Sequence, residues 1–134
     1  MSGTLSVRVL TPSRRLAEVE CSQVVIPTTQ GQITVLPGHS ALLASLGAGT
    51  VELHTAAGVQ RLVVCFGSVE IDQRQVLILA EVGELAEEID VDRARLALQD
   101  AASRLKNLDA LSDEYRDEMC RMQRAQARLA VAAG

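Results

Sequence analysis

Arg121, Arg124 and Arg128 follow one another at gaps of three and four residues near the end of the chain, a spacing that puts them on one face of a helix. Guanidinium forks match phosphate or carboxylate oxygens in bidentate pairs. Two readings stand for this stripe: a solvated basic face, or an anion site for nucleotide phosphates or an acidic partner helix. The second group with chemical potential is His39, in the turn Pro37-Gly38-His39 between the apolar runs "QITVL" and "ALLASL". A turn histidine is either water-exposed or part of a docking tip. The third possibility, a catalytic base, lacks support: His54, the other histidine, stands mid-strand, and no Ser-His-Asp arrangement is suggested.

Other chemistries are excluded more firmly. There is no H-E-x-x-H and no Cys/His ligand set, so no metal site is expected. There is no G-x-x-x-x-G-K-[ST], and the only lysine is Lys106, so a phosphate-binding P-loop is absent. Cys21, Cys65 and Cys120 fit no metal knuckle. Cys21 and Cys65 lie in apolar, strand-like runs and are expected to be reduced small hydrophobes. The acidic stretch "EVGELAEEID" reads as a solvated linker, not an acid–base pair.

The elements that must position these residues follow from pattern. Over 134 residues, 48% are hydrophobic, but the only aromatics are Phe66 and Tyr115. The core must be Val, Leu, Ile and Ala, and there is no stacking platform for bases. The net charge of −4 argues against nucleic-acid binding. Residues 1–88 carry five arginines against nine carboxylates, whereas 89–134 balance eight basic residues with eight acidic ones, which marks two regions. No apolar run approaches the ~20 residues of a membrane span, and no signal-peptide pattern stands at the N-terminus. The chain reads as cytosolic and soluble.

Up to residue 85, apolar residues alternate in short runs: "TLSVRVL", "SQVVIP", "QITVLP", "TVELHT", "VQRLVVCF", "SVEID" and "QVLILA". Turns stand between them, and short strands at about ten-residue spacing are expected to form an antiparallel sandwich or barrel. After Glu84 the period changes. Val91, Ala94, Leu98, Ala101, Leu105 and Leu108 form one helical stripe, with Asp90 at the N-cap. "NLDALS" breaks the run, and Ser112 caps a second helix with Tyr115, Met119, Met122, Ala125 and Leu129 on one side. Two such helices fold back as an antiparallel hairpin over 86–134. Its narrow, alanine-rich stripes need a second surface to be stable.

"GQITVLPGHSALLASLGAGTVEL", "IDVDRA" and "RAQARLAV", in that order, resemble the epsilon subunits of bacterial F-type (rotary) ATP synthases over essentially the whole chain. Gly31, Pro37, Gly38, His39, Leu42, Leu43 and Gly49 fit the N-terminal motif. Ile89, Asp90, Arg93 and Ala94 fit an Ile-Asp-x-x-Arg-Ala motif, and Arg124 and Arg128 an arginine pair of ATP-binding members. Gln32 stands where the family often has Glu, Thr34 where it has Gly, and Ser40-Ala41 where Ala-Pro is common, so a contact through that Glu does not carry over.

The resemblance implies a flattened antiparallel β-sandwich of about ten short strands, 1–85, that binds the gamma subunit and the rotor c-ring at a face including Gln32, Pro37, Gly38, His39 and Leu42. It implies a regulatory hairpin, 86–134, that extends into the alpha–beta hexamer and inhibits ATP hydrolysis. ATP, as a regulatory ligand and not a required cofactor, would favour the compact form. Ile89 belongs to the motif, Asp90 and Ala94 would meet the nucleoside, and Arg93, Arg124 and Arg128 the phosphates. It also implies a non-catalytic subunit, peripheral to the cytoplasmic side of the bacterial inner membrane. A hairpin that is only structural packing, and a free-standing ATP-sensing module, are the alternatives.

Overall fold

The computed structural model describes residues 3–133. It has eight strands, one 3-10 turn and two helices. The strands are β1 (Leu5–Leu10), β2 (Arg15–Cys21), β3 (Gln23–Thr28), β4 (Gly31–Val35), β5 (Leu42–Leu46), β6 (Gly49–Thr55), β7 (Gly58–Ile71) and β8 (Gln75–Leu85). The 3-10 turn covers Ala86–Glu88, and the helices are α1 (Val91–Leu105) and α2 (Asp113–Ala133).

The strands form one continuous sheet in the order β2-β1-β8-β7-β5-β3-β4, with β6 bridging β3 and β7. The sheet folds over itself because β7 serves two neighbours on one edge. Its first half pairs β6, from Thr55↔Gly58 to Gly49↔Val64. Its second half pairs β5, from Leu46↔Gly67 to Leu42↔Ile71. The result is two layers around the alternating inward residues, among them Leu5, Val7, Val9, Val24, Ile26, Val51, Leu53, Leu62 and Ile78, all at 0% exposure.

The strand count is eight: "VQRLVVCF" and "SVEID" join into one long strand, β7, while β2 and β5 add two that the named runs do not include. The join is at Phe66 and Gly67, which take φ of 59° and 134°. A Cβ on Gly67 would sit 1.8 Å from the Leu79 carbonyl oxygen, so only glycine lets β7 approach β8 there. The sheet is also not wholly antiparallel: β1 runs parallel to β8, from Ser6↔Gln75 to Leu10↔Leu79. Strand patterning sets which face is buried, and it carries no information on the direction of a distant neighbour.

The hairpin is built as its caps predict. Asp90 Oδ1 accepts from the Arg93 amide at 3.1 Å, and Ser112 Oγ from the Tyr115 amide at 3.1 Å. Helix α1 ends at Leu105, so Leu108 of the expected stripe lies in the connection, half-buried. The fully buried hairpin positions are alanines: Ala94, Ala101 and Ala125. A buried Leu or Val contributes roughly 1.5–3 kcal/mol, and a methyl-sized side chain far less. The sandwich therefore holds most of the hydrophobic stabilisation, and the hairpin depends on docking. Helix α2 does the docking, against β6 and β7. Among the described residues, no helix is long and apolar enough to cross a membrane.

Candidate functional site

Where the hairpin meets the end of β8, a cleft of about 480 Å³ opens. Asp90, Arg93, Ala94, Ala97 and Asp100 line it from the α1 side, Arg121, Arg124 and Arg128 from α2, and Glu84 and Glu88 from the sandwich end. Its volume is in the range of small-ligand sites. Positions 93, 97 and 100 share one face of α1, and positions 121, 124 and 128 one face of α2, so an antiparallel hairpin sets the two rows opposite each other. Of the expected ATP contacts, the fold brings Asp90, Arg93, Ala94, Arg124 and Arg128 together here. Ile89 is the exception: its half-buried side chain is outside the lining, and its amide donates to the Ala86 carbonyl.

The four arginines of the cleft are not equivalent. Arg128 Nε donates to Glu84 Oε1, and both side chains are largely shielded. Arg121 donates to Asp100 Oδ2 at 2.7 Å, and this bond, with help from Arg104, holds the Asp100 carboxyl below its ordinary pKa. Among the described residues, Arg93 and Arg124 have no ion-pair partner. Arg124 Nε is buried with no hydrogen-bond partner. Its burial, and then the charge of Arg128, pull the Arg124 pKa below the usual guanidinium value, against an opposing pull from Glu84. A buried donor left unmade costs about 1–3 kcal/mol, more for a charged group.

Glu88 closes the sandwich side. Arg14, in the β1–β2 turn, donates to its two oxygens at 2.8 and 2.5 Å, and the Leu85 amide adds a third bond at 2.9 Å. These bonds, Arg14 first, bring the Glu88 pKa down to about 2. The segment "EVGELAEEID" is thus not a solvated linker: Glu84 and Glu88 tie β8 and the 3-10 turn to α2 and to the β1–β2 turn. Glu84, Glu88, Ala97 and Asp100 escaped the sequence reading. The row Arg93, Ala97, Asp100, at i, i+4 and i+7, was the available signal for two of them.

The second group of expected residues lies in the sandwich, around the β4–β5 connection. Gln32 is exposed on β4, and Leu42, 41% exposed, starts β5. Between them Gly38, at φ 87°, donates to the Gln73 carbonyl at 2.7 Å, which anchors the turn to the β7–β8 connection. The His39 amide closes the turn on Leu36, and Nδ1–H donates to the Ser40 carbonyl at 2.7 Å. The imidazole is occupied with local backbone. Leu36 at 52% and Leu43 at 72% exposure add apolar surface on either side. Neither cluster contains a nucleophile with a positioned base. Among the described residues, no group of three or more His, Cys, Asp or Glu is placed to hold a metal ion.

One expectation about cysteine fails. Cys65 is not a reduced hydrophobe but is disulfide-bonded to Cys120 of α2. Cys21 is free and buried, and burial, more than neighbouring Glu20, pushes its thiol up to about 11. The sequence places Cys65 in an inward-facing run, and nothing in that run tells which helix crosses it.

The fold and cleft together define a class: a β-sandwich followed by a helical hairpin with an arginine-rich cleft at the junction. The family described as "ATP synthase, Delta/Epsilon chain, beta-sandwich domain" matches residues 4–86. The ATP synthase epsilon chain of Solibacter usitatus is 38% identical over 132 residues, covering 98% of each chain. That of Halalkalibacterium halodurans is 37% identical over 129 residues, covering 96% of this chain and 97% of the relative. The chain belongs to the ATP synthase epsilon-chain family, whose members are non-catalytic subunits of the synthase. In fold it is similar to a chain of the Euglena gracilis mitochondrial ATP synthase, with TM-score 0.79 at 18% identity, covering 98% of this chain and 82% of that one. A chain from the central stalk and c-ring structure of the Tetrahymena thermophila mitochondrial enzyme gives TM-score 0.66 at 17% identity, covering 98% of both.

Proposed function

We propose that this chain is a central-stalk subunit whose hairpin is a nucleotide-sensitive arm. Residues 1–85 bind the gamma subunit and the rotor c-ring through the face that carries Gln32, Pro37, Gly38, His39 and Leu42. Residues 86–134 are the arm. In the compact form, ATP seats its phosphates among Arg93, Arg124 and Arg128, with Asp90 and Ala94 beside the nucleoside. In the extended form, the arm reaches the alpha–beta hexamer and opposes ATP hydrolysis. The subunit works peripherally, on the cytoplasmic side of a bacterial inner membrane.

The observation that carries the nucleotide reading is Arg124: a half-buried guanidinium with no ion-pair partner among the described residues, lining a cleft of ligand size beside Arg93, which is equally unpaired. A ligand that binds only the compact form stabilises it by about 2.7 kcal/mol at a hundredfold excess over Kd. A hairpin whose buried positions are alanines is moved by that amount. The stalk role rests on family membership, with an anchored turn flanked by exposed Leu36 and Leu43 as apolar surface available to a partner.

A structural hairpin without regulation also has an observation in its favour. Arg121 and Arg128 are already neutralised by Asp100 and Glu84, which binds the compact form together with no ligand. Hydrolysis by the assembled complex separates the two. The regulatory reading requires that loss of the hairpin raises hydrolysis and abolishes its response to ATP; unchanged hydrolysis leaves only packing. Retention of the intact chain on immobilised gamma tests the stalk assignment, and failure to bind would remove it in favour of a free-standing ATP-binding module.

A further inference from the structure

Two of the three cysteines meet across the junction of sandwich and hairpin. Cys65 lies inside β7, 1% exposed, and Cys120 lies in α2, half-buried. Their disulfide closes 55 residues of chain. It lies inside neither unit: it joins one to the other. The remaining contacts that hold α2 to the sandwich are reversible. Arg116 lies over the Phe66 ring, 5.0 Å from its centroid, and Arg128 pairs with Glu84.

We propose that Cys65 and Cys120 form a redox latch, which holds the hairpin on the sandwich when oxidised and frees it when reduced. Any arrangement in which α2 leaves β7 requires that bond to be broken, because the chain's own link between the units is at residues 86–90 and the latch is far from it along the sequence. The sandwich core does not depend on the bond, since it is complete without Cys120. In a reducing compartment a disulfide of this sort is transient and sensing, not a permanent staple.

The oxidant is a small-molecule disulfide. The Cys120 thiolate, on the half-buried side, attacks one of its sulfurs, forming a mixed disulfide and releasing one thiolate. The Cys65 thiolate then attacks the Cys120 sulfur, closing the latch and releasing the second thiolate. Two electrons pass from the cysteine pair to the small disulfide, and the two protons end on the released thiols. A dithiol reverses both steps. Cys21 does not compete, because it is held in the sandwich core cluster, whereas Cys65 lies against Cys120 of α2.

The latch does not need the nucleotide reading, although its effect on hydrolysis would rest on it. The full chain, incubated with excess dithiothreitol or with oxidised glutathione, gives both states. Thiols counted after denaturation should be three and one, the last being Cys21. Intact mass should show no retained glutathione. Amide exchange across α2 should be slower in the oxidised chain by about a hundredfold or more, as closing a loop of this length implies. Cys120→Ser, which spares the core, should exchange like the reduced chain under both conditions. Three thiols after oxidation, glutathione left on Cys120, or equal exchange in the two states would each overturn the latch. Failure of the nucleotide reading would appear separately, as absence of ATP binding in both redox states.

Discussion

Arg128 Nε donates to Glu84 Oε1, and this one pair ties the last helix to the last strand of the sandwich. Both partners are mostly shielded from water, so the bond is screened less than a surface ion pair. Glu84→Gln keeps the shape and removes the charge. It should weaken docking of the C-terminal half of α2 by about 1–2 kcal/mol. Hydrogen exchange of amides 121–132 reads this directly, and rates equal to wild type would mean that the pair contributes nothing to docking.

A pH effect follows from Glu88. Its pKa is lowered to about 2 by the Arg14 fork and the Leu85 amide, against an ordinary value of 4.5. A depressed carboxylate contributes stability that is fully present above its unfolded pKa. That contribution is lost as pH falls from about 4.5 towards 2. A carbon-detected titration of the Glu88 carboxyl should show the low midpoint, and Arg14→Ala should move it up towards the ordinary value. A midpoint near 4.5 in wild type would contradict the bonding described.

Gly67→Ala should be among the most damaging small substitutions in the chain. Its new Cβ would lie 1.8 Å from a backbone oxygen of β8, and its φ of 134° is one that an L side chain rarely adopts. The expected loss is more than about 3 kcal/mol, seen as a large drop in the urea midpoint or as insoluble protein. A midpoint near wild type would mean that β7 and β8 separate there at little cost.

Local rules reached the caps, the change of period after Glu84 and the common face of Arg121, Arg124 and Arg128, because each depends on near neighbours in sequence; Arg93 and Ala94 entered only through the family motif. Asp90 and Ser112 cap helices as short-range hydrogen bonding requires, and the spacing of Arg121, Arg124 and Arg128 sets their common face. What escaped depends on chain segments far apart. Glu84, 44 residues from Arg128, gives no sign of its partner. The parallel run of β1 beside β8 and the Cys65–Cys120 bond are of the same kind. Phe66 and Gly67 hid a different fact: a glycine that looks like a turn between two strands is instead a point of close approach within one.

On the proposed function, the cleft takes nucleotide phosphates in the compact form. Calorimetric titration of ATP into the full isolated chain, and into Arg124→Ala and Arg93→Ala, tests it most directly because no hexamer competes for the same arginines. A hydrogen bond to a charged group is worth about 1.5–3 kcal/mol, so each substitution should weaken binding by roughly ten- to a hundredfold. Equal affinity in wild type and both variants, or no heat from wild type at millimolar ATP, would contradict the claim.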